Sequence, residues 1–232
     1  DIGQWNVSSV TNMESMFFTA LSFNQPLDSW NVSSVTNMNS MFNGASSFNQ
    51  PLGSWDVSSV TDMRYMFFRA SSFNQPLDLW DVSRVTSMIY MFDEAKSFNQ
   101  PIGSWDVSRV TRMICMFNRA SAFNQDINTK RIEKSDGTNY IAWNVSNVTN
   151  MKSMFENAMS FNQPLDLWNV SSVTNMSRMF WGASSFNQSL DSWVVSSNTN
   201  IENIFKNSPV KYEDIPWAAS QLNILSKLNV KT

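Results

Sequence analysis

The sequence predicts an α/β repeat fold: a solenoid of 25-residue coils, each holding one short strand and one short helix. Three observations predict it. First, tryptophan keeps a strict period. Trp5, Trp30, Trp55, Trp80 and Trp105 stand 25 residues apart, and Trp143, Trp168 and Trp193 resume the spacing after a gap of 38. Second, each period carries the same text, W-[ND]-V-S-x-V-T-x-M-x-x-M-F-x-x-A-x-x-F-N-Q-[PS]-[LI]-[DG]-x. Third, the apolar spacing changes character within each period. Self-similarity of this kind marks stacked supersecondary units that bury a shared core.

The elements follow in chain order. In the third unit Leu52-x-x-Trp55-x-Val57 has the L-x-x-L-x-L spacing of a leucine-rich repeat, whose short strand joins a parallel sheet. Met63, Met66, Phe67 and Ala70 fall at i, i+3, i+4 and i+7, one face of a short helix. Thr61 precedes that run as an N-cap, and Thr11 with Glu14 spells a capping box in the first unit. The class is therefore a leucine-rich-repeat-like, right-handed solenoid with short parallel strands. About eight coils occupy 1–206. An insertion at 128–140 splits the period. Its Asp136-Gly137 pair between strand-like runs predicts a hairpin. The tail, 207–232, leaves the pattern and reads as a C-terminal cap, with Trp217, Leu222 and Leu225 closing the last coil. The chain begins mid-pattern at Asp1, which reads as the start of an excised fragment.

Composition removes several function classes. Charged residues make up 15% of the chain and the net charge is −3, so no basic stripe points to nucleic acid. There is no His, and Cys115 is the single cysteine. A disulfide framework and a His/Cys metal site are excluded, and the commonest general base is missing. No apolar run reaches the roughly 18 residues of a membrane span. No catalytic residue, metal ligand or cofactor is assigned, and an enzyme is not expected.

The segment V-T-N-M-x-x-M-F-x-x-A-x-x-F-N-Q resembles the repeat of BspA-like leucine-rich surface proteins of bacteria, in the form abundant in mycoplasma surface lipoproteins. The likeness runs from Ile2 to Phe205, about 90% of the chain, and stops at the tail from Asn207 to Thr232. It implies a cell-surface or extracellular location, with the anchor outside this chain. It also implies adhesion or binding of a factor on a host or neighbouring cell. It supplies a class of function and no ligand.

Candidate binding residues are those the period does not explain. The outward positions beside the Met columns carry Arg64, Tyr65, Phe68 and Arg69 in the third unit and Ile89 and Tyr90 in the fourth. Aromatic rings beside Arg are typical interface anchors. A second candidate face is the column after Trp, expected on a concave sheet. It includes Asp56, Asp81 and Asp106, with Arg84 and Arg109 placed to offset the stacked charge; its oxygens would also suit a hard cation. A third is the hairpin, with Lys130, Arg131 and Lys134. The recurring Asn-Gln pair reads as a hydrogen-bonded ladder between coils. The function expected is a binding module or adhesin for a protein partner. A passive surface spacer or antigenic-variation array is the alternative, and a carbohydrate-binding module is the lesser one.

Overall fold

A computed structural model describes residues 2–221. Within them the 25-residue units lie on one another in register. Each coil is a polygon of tight turns. In the second and third units Trp55 N–H donates to Leu52 O, Val60 to Val57, Met41 to Met38, Ala45 to Phe42 and Phe48 to Ala45, at 2.9–3.2 Å. The residues that open and close each turn point inward. Leu52, Trp55, Val57, Val60, Met63, Met66, Phe67, Ala70 and Phe73 are all buried. The two residues between each pair point outward. An i, i+3 spacing of apolar residues therefore reports turn corners here.

This corrects two expected elements. The helix over the Met columns does not form. Ser15 and Thr19 have φ of 58° and 54°, and the same two columns are left-handed at Tyr65, Arg69, Tyr90 and Glu94. A right-handed helix cannot contain such residues at every fourth position. The backbone accounting is complete without one. Met13, Ser15, Phe17 and Thr19 donate their N–H to Asn37, Asn39, Met41 and Asn43 of the next coil. Met16, Phe18 and Ala20 donate back three residues. Glu14 donates to the Asn12 side chain, 2.9 Å away, and its own carboxylate accepts from Asn37 Nδ2, so the expected capping box is absent. The strand expected at Leu52–Val57 is likewise replaced by turns. Parallel pairing occurs instead one position past each Val-Thr, and past Asn198-Thr199 in the last unit. A ladder of single-residue bridges runs Asn12, Asn37, Asp62, Ser87, Arg112, Asn150, Asn175, Asn200.

Three aromatic columns fill the centre. Within one coil Phe67 and Phe73 stack at 4.1 Å, and Phe67 meets Phe42 and Phe92 of the adjacent coils at 5.6 and 5.5 Å. From Trp30 to Trp193 each indole of the column also holds the stack by hydrogen bonding. Trp80 Nε1 donates to Leu52 O at 2.9 Å, and Trp55, Trp105, Trp168 and Trp193 repeat the bond. Position in the stack sets burial: Trp5, with a coil on one side only, is 55% exposed, whereas Trp55 is 3% exposed. At the far end Trp217 stacks on Trp193 at 6.1 Å and donates to Leu190 O, one more rung of the tryptophan column. Leu222 and Leu225, the other expected cap residues, lie outside the described residues.

The expected amide ladder forms. Asn49 Oδ1 accepts the backbone N–H of Asn74 at 2.9 Å and the side-chain amide of Gln75 at 3.0 Å, and the pair recurs from Asn24 to Gln188. The insertion forms a hairpin of β1, Lys130–Glu133, and β2, Asn139–Ala142, paired antiparallel with Arg131 opposite Ile141. Gly137 turns it at φ 83°.

Candidate functional site

The sequence-selected residues of units three and four come together on one outer surface. Tyr65 and Tyr90 occupy the same column one coil apart, both at φ 58°. Their rings lie parallel at 4.9 Å. Phe68 packs edge-on against both, at 6.0 and 6.1 Å. The Arg69 guanidinium sits 4.8 Å above the Phe68 ring. Arg64 is held by Asp62 through Nε and Nη2, the latter at 2.6 Å. Tyr65, Phe68, Ile89 and Tyr90 are half-buried, and Arg64 and Arg69 are exposed. Holding a bulky L-residue left-handed costs about 1 kcal/mol. The coil carries that cost at Tyr65 and Tyr90, where Ser15 and Ser40 occupy the same column in the first two units.

The rest of the fourth unit and the fifth extend this surface with residues that sequence reasoning passed over. Glu94 bridges Arg69 at 3.5 Å and Arg119 at 3.2 Å. Asp93 is buried behind it and accepts from Asn118 Nδ2 at 3.2 Å. Burial pushes the Asp93 carboxyl up to about 7, with the Asn118 bond offsetting part of the rise. Cys115 follows Tyr90 in its column and is also buried, which lifts its thiol to about 11. The Tyr90 hydroxyl is raised by burial first and by Cys115 next. A signal for these residues was present: they stand one period after Phe68, Arg69 and Tyr90.

The other candidate faces are arranged differently. In the column after Trp each side chain is used locally. Asp56, Asp81 and Asp106 accept the N–H of Ser58, Ser83 and Ser108 at 3.0 Å, as Asn6 and Asn31 do for Ser8 and Ser33. Bonds from Ser58 also hold the Asp56 carboxyl below its usual range. Arg84 and Arg109 make no ion pair with this column among the described residues. The hairpin leans over the column and leaves a groove of about 340 Å³, with Asp78, Asp81 and Asp106 opposite Lys134 and Tyr140. Tyr140 anchors the hairpin by donating its hydroxyl to Ser104 O. The three basic residues do not form one cluster. Lys130 pairs with Asp126 at 3.0 Å, Arg131 faces the other side of the strand, and Lys134 lies 5.4 Å from the Tyr140 ring. Among the described residues no group of three acidic or sulfur side chains is placed to hold a metal ion, and no helix is long and apolar enough to cross a membrane.

These features define a tandem-repeat protein whose coils share one core and differ on their outer columns. A family model described as "Mycoplasma protein of unknown function, DUF285" matches residues 1–88, 53–142 and 133–217, in effect the whole described body. The chain belongs to that family. No curated protein and no solved structure matches it.

Proposed function

We propose that this chain is a cell-surface binding module of the BspA-like, mycoplasma lipoprotein kind. In this reading its coils wind as a right-handed solenoid, and it recognises a protein on a host or neighbouring cell. The observation that carries the reading is the cluster of Tyr65, Phe68 and Tyr90, which the repeat does not require. Aromatic rings that stand outside the core beside arginine supply large contact area at small entropic cost, the composition of an interface hot spot. Family membership supports the organismal setting, and the absence of His from the sequence favours binding over catalysis. A carbohydrate is less favoured as ligand, because Tyr65 and Tyr90 already cover one face of each other.

The test replaces Tyr65, Phe68 and Tyr90 together by Ser and measures capture of host-cell surface proteins beside wild type. Affinity should fall at least tenfold, about 1.4 kcal/mol, while circular dichroism stays unchanged. Equal capture by the two proteins would leave the spacer array as the better reading.

A further inference from the structure

Asp93 is the one buried carboxyl among the described residues, at 3% exposure. It occupies the outward column between Phe68, one coil before, and Asn118, one coil after. Its Oδ2 accepts from Asn118 Nδ2 at 3.2 Å. Its Oδ1 has no partner, and neither has Asn118 Oδ1. The two unsatisfied oxygens thus belong to the same pair of facing side chains. As a carboxylate, Asp93 would leave two buried acceptors with no donor between them, a costly arrangement.

We propose that Asp93 is a protonated acid paired with the Asn118 amide, and that losing this proton loosens the aromatic patch formed by Tyr65, Phe68 and Tyr90. The proton on Oδ1 turns an acceptor into a donor, and the O–H then donates to Asn118 Oδ1. Together with the existing N–H bond this closes a cyclic acid–amide pair that satisfies both orphan atoms. Deprotonation sends the proton to solvent and sets two lone-pair oxygens against each other.

The surroundings favour the neutral acid. In the same coil Glu94 contributes negative charge and takes up both nearby guanidinium groups, Arg69 and Arg119. From the next coil Cys115 faces the site as a neutral thiol, with Glu156 beyond it. Tyr90 holds its proton. The link to the patch is short. The Asp93 N–H donates to Tyr90 O at 3.3 Å, and its carbonyl accepts the N–H of Arg69, which covers Phe68, at 2.8 Å.

The sign follows from the raised carboxyl. The folded state keeps the proton up to about 7 and the unfolded chain loses it near 3.8. The acid–amide pair therefore contributes fully below that lower value. Its contribution declines as pH climbs toward neutral and is gone above it. Acidic surroundings order the patch, and alkaline ones loosen it.

The mechanism deepens the binding role proposed above and rests on it only for its purpose. Its experiment uses the free protein, so the two fail separately. The Asp93 Cγ resonance is followed by carbon NMR from pH 4 to pH 9, beside amide hydrogen exchange in Asp93→Asn. That variant keeps a cyclic amide–amide pair at every pH. The resonance should titrate near neutral. Above pH 7 the Arg69 amide of wild type should exchange several-fold faster than in the variant, and at pH 5 the two should agree. A carboxyl midpoint below about 5, in the ordinary Asp range, would overturn the protonated pair. Equal Arg69 exchange at pH 8 would overturn its coupling to the patch.

Discussion

Two sets of aromatic rings stack along the same axis, one inside the coils and one outside. The inner Phe column runs unbroken from Phe17 to Phe205, with Phe67 and Phe92 at 5.5 Å. The outer pair, Tyr65 and Tyr90, is closer, at 4.9 Å, yet its column continues as Ser40 on one side and Cys115 on the other. From Phe42 to Phe180 the inner rings are fully buried, so a missing ring leaves a void that both neighbours feel. The outer rings are only half-buried, and each keeps one side toward solvent. Interior stacking is imposed by the period. Exterior stacking is a local departure from it, and function is sought where such departures gather.

The comparison breaks most visibly at an inner ring. Trp80→Ala removes a buried indole and its bond to Leu52 O, and should cost about 3–5 kcal/mol. Hydrogen exchange should show the loss concentrated in the coils on either side, since each repeat contacts mainly its neighbours. A uniform loss of protection along the chain would contradict the layered picture. A smaller effect is expected at the rim of the core. Asn74→Leu deprives the Asn99 N–H and the Gln100 amide of their shared acceptor, and should cost about 1–3 kcal/mol by urea denaturation. A neutral result would show that water replaces the ladder.

How much of this was legible beforehand differs by level. The period, the inward columns and the amide ladder are explicit in the sequence, because identical residues recur wherever one coil touches the next. The hairpin was legible from Asp136-Gly137. The backbone was not, for a physical reason: corners of successive turns and one face of a helix share the i, i+3 spacing. A clue lay in the column that holds Gly44, Asn157, Gly182 and Asn207, residues that tolerate positive φ, although Thr19, Arg69, Glu94 and Arg119 share it. For the outer surface, Tyr65, Phe68 and Tyr90 stood out as aromatic, whereas Asp93 and Asn118 look like ordinary surface residues. Asp93 becomes buried, and Asn118 Oδ1 with it, only once the coils stack and bring the two side chains together in one column.

The smallest effect sharpens the backbone account. Thr19 is exposed and β-branched at φ 54°. Thr19→Gly should therefore stabilise by about 0.5–1 kcal/mol, the relief of left-handed strain less the added freedom of the unfolded glycine. The same change within a right-handed helix would destabilise, so the sign of the shift in urea midpoint decides between the two backbones.

The bonds that join the coils also govern how the molecule bears load. Along the described residues the chain climbs the stack coil by coil, so tension applied across the stack acts on the coil interfaces in series. Such an arrangement yields by peeling, one interface at a time, at modest force. Each ordinary coil releases 25 residues, on the order of 85 Å of extended chain. The insertion interrupts that sequence of equal steps. Tyr140 ties the hairpin to Ser104, and Trp143 N–H bonds to Trp105 O across the same interface. Among the described residues this interface alone carries such a clasp, one coil beyond the fourth, which bears Tyr90.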